Sequence, residues 1–311
     1  MPICIFCVCA GGLVMTKNKI KMLLEKQLSE DGLHETGING VRLFKVSESI
    51  QCAPAVYEPT VIAIVSGTKE AILDGNKHLY DNAKYMCCTM SLPVEAGTPN
   101  ASPENPLLGV SITLDSKVMT ELALEMENVA GSVKTPKGAE LPKGLSFASW
   151  DDAFCDALLR LLQLGDDSVD SAILGESRLR ELYYAVLKGE AGASVRRSFG
   201  VGNEIARSIE YLSHRLDQSV TIDELASKVG MSRAVFHRKF KQATSLSPIQ
   251  FMKSMRLNNA AMNIATGMNV NEAAMSVGYV SSSQFSREFK RLYGQSPKQW
   301  VSSQGHLGMM A

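Results

Sequence analysis

Two segments of this 311-residue chain carry the same order of residue types. They are "VGMSRAVFHRKFKQATSLSPIQF" at 229–251 and "VGYVSSSQFSREFKRLYGQSPKQW" at 277–300. The shared positions are a glycine, two phenylalanines four residues apart and a Ser-Pro pair: Gly230, Phe236, Phe240 and Ser247-Pro248 in the first copy, Gly278, Phe285, Phe289 and Ser296-Pro297 in the second. Residues four apart share one face of a helix. Each copy therefore predicts a turn at the glycine and a following helix anchored by two aromatic side chains.

Helix-capping patterns support the same division. Thr221 and Glu224 predict a capping box ahead of the first glycine, and Asn269 and Glu272 repeat the pattern 48 residues later. Ser232 is expected to cap the first aromatic helix and Ser281, with Gln284, the second. The Ser-Pro pairs are expected to end each unit. Residues 247–267 between the copies predict one long amphipathic connecting helix, with Phe251, Met255, Ala261 and Ile264 as its core positions.

A short helix, a turn and a second helix form the helix-turn-helix arrangement, in which the second helix enters the DNA major groove. With the phenylalanines buried, the opposite faces of the two second helices carry ten candidate DNA-contacting residues: Arg233, Ala234, His237, Arg238 and Lys241, then Ser282, Ser283, Ser286, Arg287 and Lys290. Arg238 and Arg287 occupy equivalent positions. The alternative is a helical bundle whose basic faces are merely solvated. A stiff connector would separate two recognition helices by roughly 34 Å, one turn of DNA.

Charge is divided unevenly along a chain that is neutral overall. Residues 200–311 contain 13 Lys and Arg against 7 Asp and Glu, a net of +6, and residues 1–199 carry −6. A basic C-terminal part indicates double-stranded DNA as its partner.

Residues 203–301 resemble the DNA-binding domain of the AraC/XylS family of bacterial transcription regulators. The resemblance rests on "GYVSSSQFSREFKRLYGQSPKQW" and on "LASKVGMSRAVFHRKFKQATSLSPIQFMKSMRLNNA". It implies that Ala234, His237, Arg238, Ser283, Ser286 and Arg287 lie at the usual base-facing positions. The chain departs from the family pattern at Val280, where an acidic residue is common, and at Ser245, where glycine is usual.

The preceding part of the chain predicts a second domain of a different class. Short apolar runs from Val41 to about Leu114 predict strands, with Asp74-Gly75 as a hairpin turn. Helical spacing occurs at 17–31, 115–128, 151–164 and 171–189. This region resembles the cupin-like sensory barrels of the same family, which bind a small effector or mediate dimerisation. The expected fold is thus α+β with two domains, a cupin-like β-barrel with flanking helices followed by an all-α domain of two helix-turn-helix units joined by a long helix.

The expected boundaries follow from composition. Residues 1–16 are expected to be a tail or a start-site overextension, 17–190 the effector-binding and dimerisation domain, 191–202 a linker, 203–301 the DNA-binding domain and 302–311 a disordered tail. A Gly/Pro/Lys-rich loop is expected at 131–144.

The helix predicted at 151–164 carries an apolar stripe, Phe154, Leu158, Leu161 and Leu162, which is either a dimer contact or a core face. The opening lacks a secretory n-region, and no long apolar span follows, so we expect a cytoplasmic protein without membrane contact.

Enzyme chemistry has little support in the sequence. The five histidines include no His-x-His pair, which argues against a metal-dependent cupin enzyme, and no phosphate-binding or dinucleotide motif occurs. We expect no cofactor and no metal. In "YMCCTMSLP", strand alternation should point one of Cys87 and Cys88 into the barrel, where it could sense an oxidant or electrophile; Cys52 is a similar candidate. Each could equally be a small buried hydrophobe.

These observations predict a homodimeric, sequence-specific transcriptional regulator controlled by a small effector or a redox or electrophile signal. RNA polymerase is a further candidate partner. The alternative is a regulator without an effector, whose first domain only dimerises or binds a partner protein.

Overall fold

The computed structural model describes residues 5–129, 143–200 and 203–303. Most of the loop expected at 131–144, and residues 304–311 of the expected tail, lie outside this part of the chain. So do residues 1–4 of the expected N-terminal tail.

The described strands form two antiparallel sheets in the first half of the chain. A six-stranded sheet has the order β1-β2-β9-β4-β7-β10, and a four-stranded sheet has the order β3-β8-β5-β6. The strands are β1 (Gly32–Glu35), β2 (Val41–Val46), β3 (Ile50–Tyr57), β4 (Thr60–Ser66), β5 (Lys69–Leu73), β6 (Asn76–Tyr80), β7 (Lys84–Cys88), β8 (Leu92–Thr98), β9 (Leu107–Thr113) and β10 (Leu145–Ser149). The predicted hairpin is confirmed, since Asp74 and Gly75 have φ of 51° and 74° and connect the paired strands β5 and β6.

The six-stranded sheet is apolar on both faces, because one face packs against the four-stranded sheet and the other packs against helices. Alternate residues such as Phe44, Ile62 and Cys88 pack with residues of the four-stranded sheet. Their neighbours, including Val61 and Cys87, pack under helices. The helices associated with this domain are α1 (Ile5–Gln27), α2 (Ser116–Val129), α3 (Asp152–Leu162), α4 (Ser168–Lys188) and α5 (Gly192–Phe199), with a 3₁₀ turn at Gln163–Asp166.

The second half of the described chain is helical. Its helices are α6 (Glu204–Ser213), α7 (Ile222–Lys228), α8 (Arg233–Thr244), α9 (Pro248–Ala265), α10 (Val270–Ser276), α11 (Ser282–Tyr293) and α12 (Pro297–Ser303). The predicted connecting helix is α9, and its four predicted core residues are all buried. A mixed α+β architecture of a two-sheet domain followed by a helical one is thus confirmed.

Two segments expected to lack structure are helical. The first helix begins at Ile5 rather than near Lys17, and it ends at Gln27, ahead of β1, which begins at Gly32. The expected linker 191–202 contains α5, whose Val195 and Phe199 are buried. These two residues are four apart, so their side chains meet on one face and hold the helix against the domain. Residues 191–202 are mostly small and polar, so their composition predicts a linker although Val195 and Phe199 form a short amphipathic pattern.

The stripe of Phe154, Leu158, Leu161 and Leu162 on α3 is a core face. All four side chains are at most 3% exposed within the chain itself. They are therefore not accessible to a second subunit, and the dimer-contact interpretation of this stripe is wrong. Among the residues described, no helix is long and apolar enough to cross a membrane.

Candidate nucleic-acid interface

The first helix-turn-helix unit comprises α7 and α8. The Thr221 hydroxyl accepts a hydrogen bond from the backbone N–H of Glu224 at the start of α7, and Ser232 does the same for Val235 at the start of α8. Gly230 lies between the helices with φ of 66°, a left-handed conformation that glycine adopts without strain. The turn and both helix starts are therefore encoded locally, as the sequence predicts.

The second unit, α10 and α11, repeats this construction. Asn269 accepts from the N–H of Glu272, and Ser281 accepts from the N–H of Gln284. Gly278 has φ of 83°, and a Cβ atom there would lie 2.8 Å from the backbone oxygen of Leu216. Glycine is thus needed at position 278 for two reasons: the backbone is left-handed there, and the chain that follows α6 leaves no room for a Cβ atom.

Buried aromatic rings anchor the second helix of each unit. Phe236, Phe240, Phe285 and Phe289 are fully buried. In the first unit Phe240 meets Phe251 edge-on with ring centroids 5.1 Å apart. In the second unit Phe289 packs edge-on with Trp300 at 5.8 Å. Such pairs hold each helix in a defined rotation about its axis, which determines the residues that face solvent.

The capping boxes predicted at Thr221 and Asn269 form only their N-cap half. The Glu224 side chain accepts a hydrogen bond from the Tyr211 hydroxyl instead of returning to the backbone of Thr221. A complete capping box occurs at Ser247 and Gln250, where α9 begins. The second Ser-Pro pair likewise begins a helix, α12, rather than only ending the unit. Proline is favoured in the first turn because its missing N–H needs no partner there.

The predicted contact face of α8 is open to solvent. Arg233, Ala234, His237, Arg238 and Lys241 are all exposed. Arg233 forms an ion pair with Asp223, at 2.8 Å between Nη1 and Oδ2, so one of its guanidinium nitrogens is already engaged. Within the described part of the chain, Arg238 and Lys241 have no ion pair.

On α11, the predicted residues Ser282, Ser283, Arg287 and Lys290 are exposed, and Ser286 is partly buried. Arg287 has no acidic partner in the ranges described, as for Arg238. The one carboxylate of the helix, Glu288, faces the other way. Burial would raise its pKa, but hydrogen bonds from Tyr279, Lys253 and Gln284 outweigh this and lower it. Glu288 is thus an anion held inward, and the outward face of α11 carries only positive and neutral groups.

One residue that joins this domain to the sheets was missed by the sequence reasoning. Asn258 on α9 is 4% exposed, and its amide nitrogen donates to the carbonyl oxygens of Ala55 (2.8 Å) and Val94 (2.9 Å). Its amide oxygen accepts from the Tyr293 hydroxyl at 2.6 Å, at the end of α11. The available signal was an asparagine three residues after Met255, on the apolar stripe of the connecting helix.

The three cysteines proposed as sensors occupy different environments. Cys88 faces the interior between the sheets and Cys87 the core under the helices, as strand alternation predicts. Both are fully buried, and burial raises the pKa of Cys87 to about 12 and that of Cys88 further. Cys52 is partly buried and donates to Glu70 at 3.2 Å; burial and this carboxylate raise its pKa to about 12. All three are therefore thiols at neutral pH, which disfavours nucleophilic sensing. No group of three or more metal-ligating side chains occurs in the described ranges.

Comparison with known families supports this arrangement. The profile described as "AraC-type transcriptional regulator N-terminus" matches residues 37–194, and a helix-turn-helix domain profile matches 225–303. The chain belongs to the AraC family of transcriptional regulators. The DNA-binding fold and the two-sheet domain that precedes it are thus the two parts of an AraC-type regulator.

Individual curated relatives match only part of the chain. The chain is 27% identical to the raffinose operon regulator RafR of Pediococcus pentosaceus over 48% of its own length and 53% of that protein. It is 32% identical to SoxS of Salmonella typhimurium over 30% of its length and 87% of SoxS. It thus spans about half of RafR but most of the shorter SoxS. ToxT of Vibrio cholerae, solved with an unsaturated fatty acid, has the same fold, with a TM-score of 0.55 at 12% identity over 84% of this chain and 94% of ToxT.

Proposed function

We propose that this AraC-type regulator binds specific double-stranded DNA sequences through α8 and α11, as a cytoplasmic homodimer. Its two-sheet domain senses a small molecule and contributes to dimerisation, and RNA polymerase is a candidate partner at promoters. The proposal includes no enzymatic activity, because the relatives are transcriptional regulators.

The observation that carries the proposal is the pair of exposed arginines at equivalent positions. Arg238 and Arg287 each lie two residues after the first buried phenylalanine of their unit, and neither has an ion pair in the described ranges. An arginine kept free of acidic partners can form two hydrogen bonds to guanine O6 and N7, or bind a phosphate. The serines of α11 are short, which favours a larger share of phosphate contacts for the second helix.

A gel-shift experiment with genomic fragments selected by the full-length protein tests this directly. Arg238→Ala and Arg287→Ala are each expected to weaken binding by about 5- to 150-fold, which corresponds to about 1–3 kcal/mol for a base contact. Lys117→Ala removes an exposed cation on the first domain and serves as the matched control. Undiminished binding by the double arginine variant would show that the face assigned here is not the DNA-contacting face.

Salt dependence separates base contacts from phosphate contacts. Each phosphate contact that is lost reduces the slope of log affinity against log salt by about 0.9. A variant at Arg287 that changes the slope but not the preferred sequence would identify a phosphate contact. A change of preferred sequence would identify a base contact.

The proposed route from effector to DNA passes through Asn258. This side chain fixes the connecting helix to paired strands of the sensory domain and, through Tyr293, to the end of α11. An effector that alters the position of β3 or β8 would therefore alter both recognition helices together. If no ligand stabilises the protein in a thermal-shift screen of metabolites, the alternative of a regulator without an effector is favoured.

A further inference from the structure

A cavity of about 120 Å³ lies between the two sheets of the sensory domain. Its walls are largely apolar, with Phe44, Val56 and Ile62 among the side chains that line it. Two basic side chains, Arg42 and Lys69, also line it, and Glu58 is its one acidic side chain. This volume equals that of about four water molecules at ~30 Å³ each, so the cavity suits a short organic molecule.

Lys69 is the unusual residue of this cavity. It is only 5% exposed, and its Nζ lies 5.2 Å from the centroid of the Phe44 ring. Its Nζ has no carboxylate within ion-pair distance and no hydrogen-bond acceptor in the described part of the chain. Buried lysines are normally paired, because an isolated ammonium loses its hydration without compensation. Burial accordingly lowers the pKa of Lys69 to about 8.

A second polar group in the same wall also lacks a partner. The hydroxyl of Tyr57 is buried without a hydrogen bond in the described chain; it is close enough to Tyr80 for each to affect the other's pKa, but their geometry does not give a hydrogen bond. Glu58 forms no ion pair with Lys69 among the described residues, and its carboxylate accepts a hydrogen bond from the Ser91 hydroxyl. Lys69, whose Nζ has no ion-pair or hydrogen-bond partner among the described residues, and Tyr57, whose buried hydroxyl has none there either, are therefore both lining residues of one small cavity.

We propose that this cavity binds a small organic monocarboxylate, with its carboxylate paired to Lys69 and hydrogen-bonded by the Tyr57 hydroxyl. The apolar walls favour a short hydrocarbon body over a hydrated inorganic anion. This inference rests on the proposed sensory function and names the chemical class of the effector. The carboxylate supplies the counter-ion and the acceptor that the two unpaired groups lack, and the Phe44 ring covers the hydrocarbon body.

Calorimetric titration of the full-length protein with butyrate at constant ionic strength and pH 7 tests the proposal. Butyrate fits the available volume, and butyramide has the same shape without the charge. Butyrate is expected to bind, and butyramide is expected to bind at least ~10-fold more weakly, because a charged hydrogen bond contributes more than a neutral one. Equal affinity for the two compounds, or no binding of butyrate, overturns the proposal.

Three variants locate the site. Lys69→Met preserves the length of the side chain without its charge and is expected to weaken butyrate binding at least ~10-fold, and Tyr57→Phe to weaken it by about 3- to 10-fold. Lys117→Met, an exposed cation in the same domain, is expected to leave affinity unchanged. Unchanged butyrate affinity in Lys69→Met would place the carboxylate elsewhere and refute the assignment. If the unchanged protein binds no butyrate while its sequence-specific gel shifts are intact, this inference alone is rejected, whereas absence of those gel shifts rejects the proposed function.

Discussion

Replacing Lys69 with methionine should stabilise the ligand-free protein. The side chain is 5% exposed, and burial lowers the pKa of Lys69 from 10.5 to about 8. At about 1.4 kcal/mol for each pKa unit, this difference corresponds to a cost of roughly 3 kcal/mol for holding the buried ammonium. Methionine of similar length removes this cost and keeps the contact with Phe44. We therefore expect Lys69→Met to be about 2–3 kcal/mol more stable at pH 7.

The pH dependence of the free energy of unfolding is a second test of this cost. Between pH 8 and 10.5 the unfolded chain retains the Lys69 proton that the folded chain has lost, so wild-type stability rises with pH through this window. Below pH 8 the lysine is charged in both states and the full cost is present. The other titratable groups that line the cavity are Arg42, Glu58 and Tyr57; the phenol of Tyr57 stays neutral here because burial raises its pKa. The advantage of Lys69→Met should therefore diminish between pH 8 and 10.

Urea unfolding in a Trp300→Phe background provides the assay. The chain has two tryptophans, and this background leaves Trp150 of the sensory domain as the fluorescent reporter. Lys117→Met is the control and should change stability by less than about 0.5 kcal/mol, as exposed substitutions do. A Lys69→Met protein that is less stable than wild type at pH 7, or an advantage that stays constant from pH 7 to 10, would refute the argument that an unpaired buried charge occupies the cavity.

Three further predictions concern Ser245, Gly278 and the cysteine pair Cys87 and Cys88. Ser245 has φ of 66° at the end of α8, so Ser245→Gly should raise stability by about 0.5–1 kcal/mol in thermal unfolding; a loss of stability would contradict the strain argument. Gly278→Ala should cost more than about 2 kcal/mol and weaken DNA binding, because its Cβ would lie 2.8 Å from the Leu216 oxygen; a silent substitution would contradict the contact. Cys87 and Cys88 should resist alkylation by N-ethylmaleimide at pH 8 until the protein unfolds, since both are buried thiols; rapid labelling of the folded protein, located by mass spectrometry, would restore them as sensor candidates.

The parts of the fold that the sequence predicts best are those with local signals. Caps, glycine turns and phenylalanine pairs lie within a few residues of one another, so both helix-turn-helix units follow from the sequence. Two strands, β1 and β10, lie outside the region from Val41 to about Leu114 in which strands are predicted, and both are at an edge of the six-stranded sheet. An edge strand has only one hydrogen-bonded neighbour, and the edge strand β3 contains Pro54, which lowers its expected strand content.

Residues whose role depends on distant partners are harder to predict. Lys69 shares a strand face with Ala71 and Leu73, so alternation alone places it inside the domain. Whether Lys69 has a counter-ion depends on the side chains of the opposite sheet. Those side chains are distant in the sequence, so a local pattern around Lys69 cannot predict them. Asn258 is similar: its position on α9 marks it as buried, but its acceptors are about 200 and 160 residues away in the chain.

Strand β3 brings the cavity and the domain contact together. Val56 and Tyr57 line the cavity, and the carbonyl of the preceding residue, Ala55, accepts a hydrogen bond from Asn258. A ligand that moves β3 would therefore disturb the bond that holds α9, and through Tyr293 it would reach α11. Asn258 makes all three of these hydrogen bonds within a larger contact, in which apolar residues of the sheets and of the helical domain share a buried cluster and the N–H of Gly144 donates to the carbonyl of Ala243.

This geometry predicts that Asn258→Ala uncouples the two domains without emptying the cavity. The substitution leaves three buried polar groups without their partner, at a cost of about 1–3 kcal/mol for each that water does not reach. Butyrate should still bind, but it should no longer change the DNA affinity measured by gel shift. Asn259→Ala is the matched control and should keep the response, because among the described residues the Asn259 side chain bonds only to the Met255 carbonyl of its own helix. If Asn258→Ala retains the full butyrate effect on DNA binding, the signal travels by another contact, and Asn258 serves only to dock the domains.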